Sequence, residues 1–204
     1  MASQPRAPRI GMYGGAFDPP HLAHRALIEQ ALSELRLDRL HVVPTGQAWH
    51  KPRGLSGAVH RVAMCQLAFA DLSAVVVDER EGLRQTASFT VETLRELHQE
   101  YPGSPICLII GADQARTFDQ WKAWPDIFDL ATVCVAQRQD ADSGPVPLHT
   151  DESIASRFVG LDFSPMKTSA TDIRSRVAEG LALDALVSTA VAGYIARHHL
   201  YTEI

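Results

Sequence analysis

Long apolar runs are missing from this 204-residue chain. None approaches the roughly 18 residues that a membrane-spanning helix needs. The opening MASQPRAPR is polar and lacks the apolar core of a secretory signal. Residues 1–9 are therefore expected to form a flexible lead-in. Cysteine is scarce: only Cys65, Cys107 and Cys134 are present, an odd number with no C-x-x-C pair. Each lies in an apolar neighbourhood (AMCQLAF, PICLII, TVCVAQ). That excludes a disulfide framework and predicts buried free thiols in a reducing, cytoplasmic setting. Positive charge is not in excess either, since 19 Lys and Arg face 24 Asp and Glu, for a net charge of −5. The balance argues against a nucleic-acid polymer or a membrane surface as partner, and leaves room for a local basic pocket. There is no internal repeat and no low-complexity tract. At this length the chain is expected to form a single domain over 1–204, as a monomer or homodimer.

What is present is alternation. RIGMY, LHVVP from Leu40, AVVVD from Ala74, PICLIIGAD, TVCVAQR and RFVGLDF read as six strands. Between them run helical patterns: His21 to Leu35, the segment from Ala58, and SFTVETLRELHQEY, where Ser88 is expected to cap. TDIRSRVAEG and DALVSTAVAGYIARHHL are expected to be closing helices. DADSGPVPLHTDES from Asp140 reads as a polar loop. Strands alternating with helices at this spacing predict an α/β fold. It should be Rossmann-like and doubly wound, with a mostly parallel sheet, helices on both faces and a C-terminal helical part over 165–204. Ligands gather at the carboxyl ends of such strands. The polar clusters GGAFDPPH, PTGQAWHKP and GADQ all fall there.

The first cluster carries the most chemistry. Gly14 and Gly15 allow a sharp turn and a close backbone approach. A helix beginning near Pro20 and His21 presents N–H groups and a dipole that favour an anion. His21 and His24 stand at i and i+3, on one helix face. Their ring N–H groups can donate to phosphate oxygens. The same pair alone could also hold a metal or sit in solvent. Downstream, TSATDIRSR places Ser169, Thr171 and Arg174 at a helix start. A capping hydroxyl, free amides and a guanidinium suit a polyphosphate there. A merely capped helix with a solvated arginine would read the same way.

Together, G-G-x-F-D-P-x-H-x-x-H and S-x-T-x-I-R resemble the signatures of the nucleotidyltransferase superfamily. The resemblance implies that His21, His24 and Arg174 hold ATP phosphates and the transition state, and that residues 165–204 complete the ATP site. Ala16 replaces the usual Ser or Thr, and Ala23 the usual Gly between the histidines. From Ile10 to Tyr201 the chain is similar to bacterial nicotinate-nucleotide adenylyltransferases. The likeness is carried by PTGQAWHKP, Arg61 and Met64 in HRVAM, DERE at Asp78, SFTVETL, IIGADQ, and Trp121 with Trp124. It implies AMP transfer from ATP to nicotinate mononucleotide, giving deamido-NAD and pyrophosphate, with Mg²⁺ carried on the ATP phosphates.

Carried over by position, Gly15, Ala16 and Phe17 would line both nucleotides, and Gly14, Gly111, Asp113, Ser169 and Thr171 would serve ATP. Asp113 would take the adenosine ribose. His50 and Lys51 would face phosphates. Thr90 would offer its backbone N–H to the nicotinate carboxylate, Thr117 its backbone amide, and Trp121 its ring to the pyridine. Trp124 is expected to be the packing partner of the pair. Phe89 stands where relatives often have Tyr, and Thr117 where many have a bulky residue. Asp78 and Glu79 read as loop-positioning rather than catalytic. His41, His60, His98, His149, His198 and His199 show no partner pattern. Four other readings stay open: a nicotinamide-mononucleotide enzyme, a phosphopantetheine adenylyltransferase, a non-catalytic nucleotide-binding module, and a metal hydrolase using His21 and His24.

Overall fold

A computed structural model describes residues 6–46, 55–137, 149–163 and 166–202. His50 and Lys51, part of the polar lead-in, and most of the Asp140 loop lie outside the described residues. The six expected strands are all present: β1 (Ile10–Gly15), β2 (Arg39–Pro44), β3 (Val75–Val77), β4 (Ile106–Gly111), β5 (Thr132–Gln137) and β6 (Val159–Asp162). They form one sheet in the order β3-β2-β1-β4-β5-β6. β1 runs parallel to β4, from Ile10 beside Ile106 to Tyr13 beside Ile109. β4 and β5, and β5 and β6, are also parallel. The order reverses between β1 and β4, the switch point at which open parallel sheets bind ligands. β1, β4 and β5 are nearly continuous apolar runs, as strands covered on both faces must be.

Nine α-helices are found among the described residues. The five expected ones are α1 (Leu22–Glu34), α2 (Ala58–Ala68), α4 (Thr90–Glu100), α8 (Ala170–Ala178) and α9 (Thr189–Arg197). Four short ones were not expected: α3 (Arg80–Leu83), α5 (Ala112–Ala115), α6 (Trp124–Leu130) and α7 (Glu152–Ala155). Ser88 does not cap α4. Phe89 holds the N-cap position without a side-chain cap, and the Ser88 hydroxyl donates to the Glu81 carbonyl at 3.4 Å. In α1 the deeply buried residues are Leu27, Ile28 and Ala31. No described helix is long and apolar enough to cross a membrane.

The chain divides into two compact units. The first comprises Met1–Tyr13, Gln30–His41 and Phe89–Ser164. Its core is built from Ile10, Met12, Leu94, Leu97, Leu108 and Ile109, each nearly inaccessible. The second comprises Gly14–Glu29, Val42–Ser88 and Pro165–Ile204. Val42, Val43, Met64, Cys65 and Val191 are fully buried there. Cys65, Cys107 and Cys134 are all buried and free, as expected. Burial pushes the Cys65 thiol up, which makes it inert at neutral pH.

Candidate active site

In the second unit, the chain leaves β1 and turns before α1. Gly14 and Gly15 still belong to the strand. The left-handed residue is Phe17, with φ of 48° and 1% exposure. The turn therefore falls two residues later than the Gly-Gly pair suggests. His21 and His24 follow, with their rings stacked 3.7 Å apart at 21°. The His21 amide donates to His24 Nδ1 at 3.1 Å. That bond makes His24 Nδ1 an acceptor, so its ring proton sits on Nε2. Burial lowers the His21 pKa to about 4. Burial, and secondarily the proximity of His21, hold His24 well below the ordinary imidazole value. Both rings are thus neutral at pH 7. His21 Nδ1 is buried without a hydrogen-bond partner among the described residues. The first amides of the helix are not free: His21 donates to His24, and the Leu22 amide donates to the Leu186 carbonyl at 2.9 Å. Ring nitrogens, rather than those two amides, are what this turn offers an anion.

Arg174 joins the same unit from α8. Ser169 caps that helix, accepting the Asp172 amide at 3.1 Å. Arg174 Nη1 donates to the Asp18 carbonyl at 2.8 Å, and Nη2 to the Thr171 hydroxyl at 3.1 Å. The structure thus brings the late motif onto the Phe17 turn. Asp78 accepts from Arg80 through both its backbone amide and its guanidinium, which fits a structural role.

The first unit holds the other predicted residues. Gly111 ends β4, and a Cβ there would lie 2.6 Å from Asp113 Oδ1. Only glycine lets Asp113 fold back so closely. Asp113 is exposed on the first turn of α5. The Thr117 amide is already engaged, donating to the Gln114 carbonyl at 3.2 Å. Trp121 and Trp124 do not share a helix. Trp121 follows a short 3-10 turn at Phe118–Gln120, Ala123 takes φ of 49°, and α6 starts at Trp124. Both rings contact Phe118, Trp121 at 5.3 Å between centroids and Trp124 at 6.3 Å. Trp124 also meets Phe128 edge-on. Trp121 is half-buried, so part of its ring remains accessible. At the start of α4, the Lys122 ammonium lies 4.0 Å from the Phe89 ring centroid and pairs with Glu92 at 2.9 Å. Among the described residues, no three His, Cys, Asp or Glu side chains are gathered as a metal site.

A family profile described as cytidylyltransferase-like matches residues 12–176, most of the chain. A probable nicotinate-nucleotide adenylyltransferase of Albidiferax ferrireducens is 51% identical over 95% of this chain and 98% of its own length. The chain belongs to the nicotinate-nucleotide adenylyltransferase family. A second relative of that name, from Methylibium petroleiphilum, is 38% identical over 95% of this chain and 92% of its own length. The fold matches a solved Plasmodium falciparum nicotinic acid mononucleotide adenylyltransferase complexed with NaAD. The TM-score is 0.74 at 18% identity, over 96% of this chain and 98% of that one. A putative nicotinate-nucleotide adenylyltransferase from Vibrio parahaemolyticus gives a TM-score of 0.70 at 21% identity, covering 97% of each chain.

Within this family member, Ala16 keeps a task despite lacking a hydroxyl: its carbonyl accepts Arg61 Nη1 at 2.9 Å. Three residues escaped the sequence reading of the site. Asp18 was quoted only as a motif letter, Arg61 only as a point of likeness, and Tyr201 only as the end of the matching stretch. A buried Asp or Arg carries no mark in a single sequence that separates it from a solvated one.

Proposed function

We propose that the protein transfers AMP from MgATP to nicotinate mononucleotide, forming deamido-NAD and pyrophosphate. The observation that carries this reading is the stacked, neutral His21–His24 pair at the Phe17 turn, in a chain 51% identical to a probable nicotinate-nucleotide adenylyltransferase. An oxygen of the mononucleotide 5′-phosphate attacks the α-phosphorus in line. The bond to the α,β-bridging oxygen breaks, and pyrophosphate leaves with that electron pair. The attacking phosphate is already an anion, so no general base is needed. The obstacles are charge repulsion and alignment, which positioning and electrostatic stabilisation overcome.

In this reading His24 donates its Nε2 proton to an ATP phosphate oxygen. His21 and Arg174 share the charge that develops on the phosphates, with Gly14 lining ATP and Gly15, Ala16 and Phe17 lining both nucleotides. Ser169 and Thr171 support Arg174 and the triphosphate. Mg²⁺ arrives as part of MgATP. Gly111 and Asp113 serve the adenosine, Asp113 through the ribose hydroxyls. Thr90 and Trp121 serve the nicotinate, and His50 and Lys51 the phosphates. With its amide engaged by Gln114, Thr117 serves the carboxylate only after that bond is given up.

The deciding experiment measures pyrophosphate release with ATP and each of nicotinate mononucleotide, nicotinamide mononucleotide and phosphopantetheine. Turnover should be fastest with nicotinate mononucleotide. A preference for either other acceptor would redirect the substrate assignment, and ATP binding without turnover of any would favour a binding module. In the same assay, His24→Ala should lose about 100-fold or more in kcat while keeping its circular dichroism spectrum.

A further inference from the structure

The turn from Ala16 to Asp18 is held by residues far from it in sequence. Asp18 is 1% exposed. Its Oδ1 accepts the Tyr201 hydroxyl at 2.6 Å and its Oδ2 the Ser56 amide at 3.2 Å. Its carbonyl accepts Arg174 Nη1 at 2.8 Å. Arg61, 2% exposed, donates Nε to the Ser56 carbonyl at 2.8 Å and Nη1 to the Ala16 carbonyl at 2.9 Å. Two guanidinium groups therefore hold the carbonyls on either side of Phe17. Phe17 itself sits at a φ that disfavours a bulky side chain. Such a residue persists only where its surroundings over-determine it. Buried charged groups are poor sources of stability, because desolvation offsets most of their attraction. What this set supplies is one conformation of the turn.

We propose that Asp18, Arg61 and Tyr201 are positioning residues for AMP transfer. They fix the Ala16–Asp18 turn and, through the Asp18 carbonyl, the direction of the Arg174 guanidinium. The proposal rests on the reading of His21, His24 and Arg174 as phosphate-binding groups. Tyr201 reaches no phosphate in it; its hydroxyl acts only through Asp18.

The test uses the full chain and compares Tyr201→Phe with Tyr194→Phe. Tyr194 belongs to the same C-terminal segment, where its hydroxyl meets His60 Nδ1 at 3.0 Å rather than Asp18. Tyr201→Phe should lower kcat about tenfold with KM for ATP and nicotinate mononucleotide unchanged within about twofold. Tyr194→Phe should lower the thermal midpoint yet keep kcat within about twofold. Asp18→Asn keeps an acceptor for Tyr201 and should retain more turnover than Asp18→Ala. If Asp18→Ala does not fold, the tyrosine pair and Asp18→Asn still decide. A folded Tyr201→Phe enzyme with normal kcat overturns the proposal. So does an equal fall of kcat in the two tyrosine variants. Absence of turnover in the unaltered chain is a different failure: it overturns the adenylyltransferase reading, and this proposal with it.

Discussion

His21 is a base that burial has discharged. Its pKa falls from 6.5 to about 4 because the folded chain strips water from the ring. Between those two pH values the unfolded chain binds a proton that the folded chain does not. Stability therefore rises with pH across that window and is lost as pH falls from 6.5 toward 4. His24 shifts in the same direction. Replacing His21 with Gln should flatten the dependence of the thermal midpoint on pH in that range. A variant as steep as the parent would detach the slope from this ring. Residue spacing alone was enough to place His21 and His24 on one face, because three positions along a helix is local geometry. The proton on His24 was not legible. It depends on a backbone amide accepted by Nδ1, and the sequence does not show where that amide points.

α8 is the element that presents Arg174. Its first turn depends on Ser169, whose side chain takes the Asp172 amide. Ser169→Ala should cost about 1 kcal/mol in urea unfolding, the usual loss for a removed N-cap. A loss near zero would mean that the contacts of Arg174, rather than the cap, hold the helix. A capping hydroxyl was readable at Ser169 or Thr171 because both stand where the helix begins, and the Asp172 amide selects Ser169. All six strands were readable for a similar reason: runs of β-branched and apolar residues bounded by turns. The four short helices were not. α3, α5 and α7 have four residues each, too few to show a 3.6-residue period. Trp121 and Trp124 fall in different elements because Ala123 adopts a left-handed backbone between them. The expected cap at Ser88 failed because the hydroxyl found the Glu81 carbonyl, a tertiary partner that no local pattern announces.

For the molecule as a whole, His21, His24 and Arg174, the groups proposed to bind phosphate, all belong to the second unit, which assembles three separate stretches of chain. A ligand that binds only the folded form stabilises it by mass action. MgATP at about 100 times its Kd should therefore add about 2.7 kcal/mol of stability. His24→Ala should show a smaller gain at the same ATP concentration. No gain in the parent chain would remove ATP from the list of ligands. The doubly wound architecture was legible from alternation and the positions of the polar clusters. The buried set around Asp18 was not, since its partners are scattered from Ser56 to Tyr201. The bond between Asp18 and Tyr201 spans 183 residues of sequence. That distance has a meaning in time. A ribosome adding about 5–20 residues per second delivers Tyr201 roughly 10–40 s after Asp18. Until then the carboxyl group of Asp18 lacks its last donor, however early β1 and α1 have formed. Under the positioning proposal, the turn that carries His21 and His24 waits for a residue made 183 positions after Asp18, and a nascent chain stalled between the two would carry the motif without its brace.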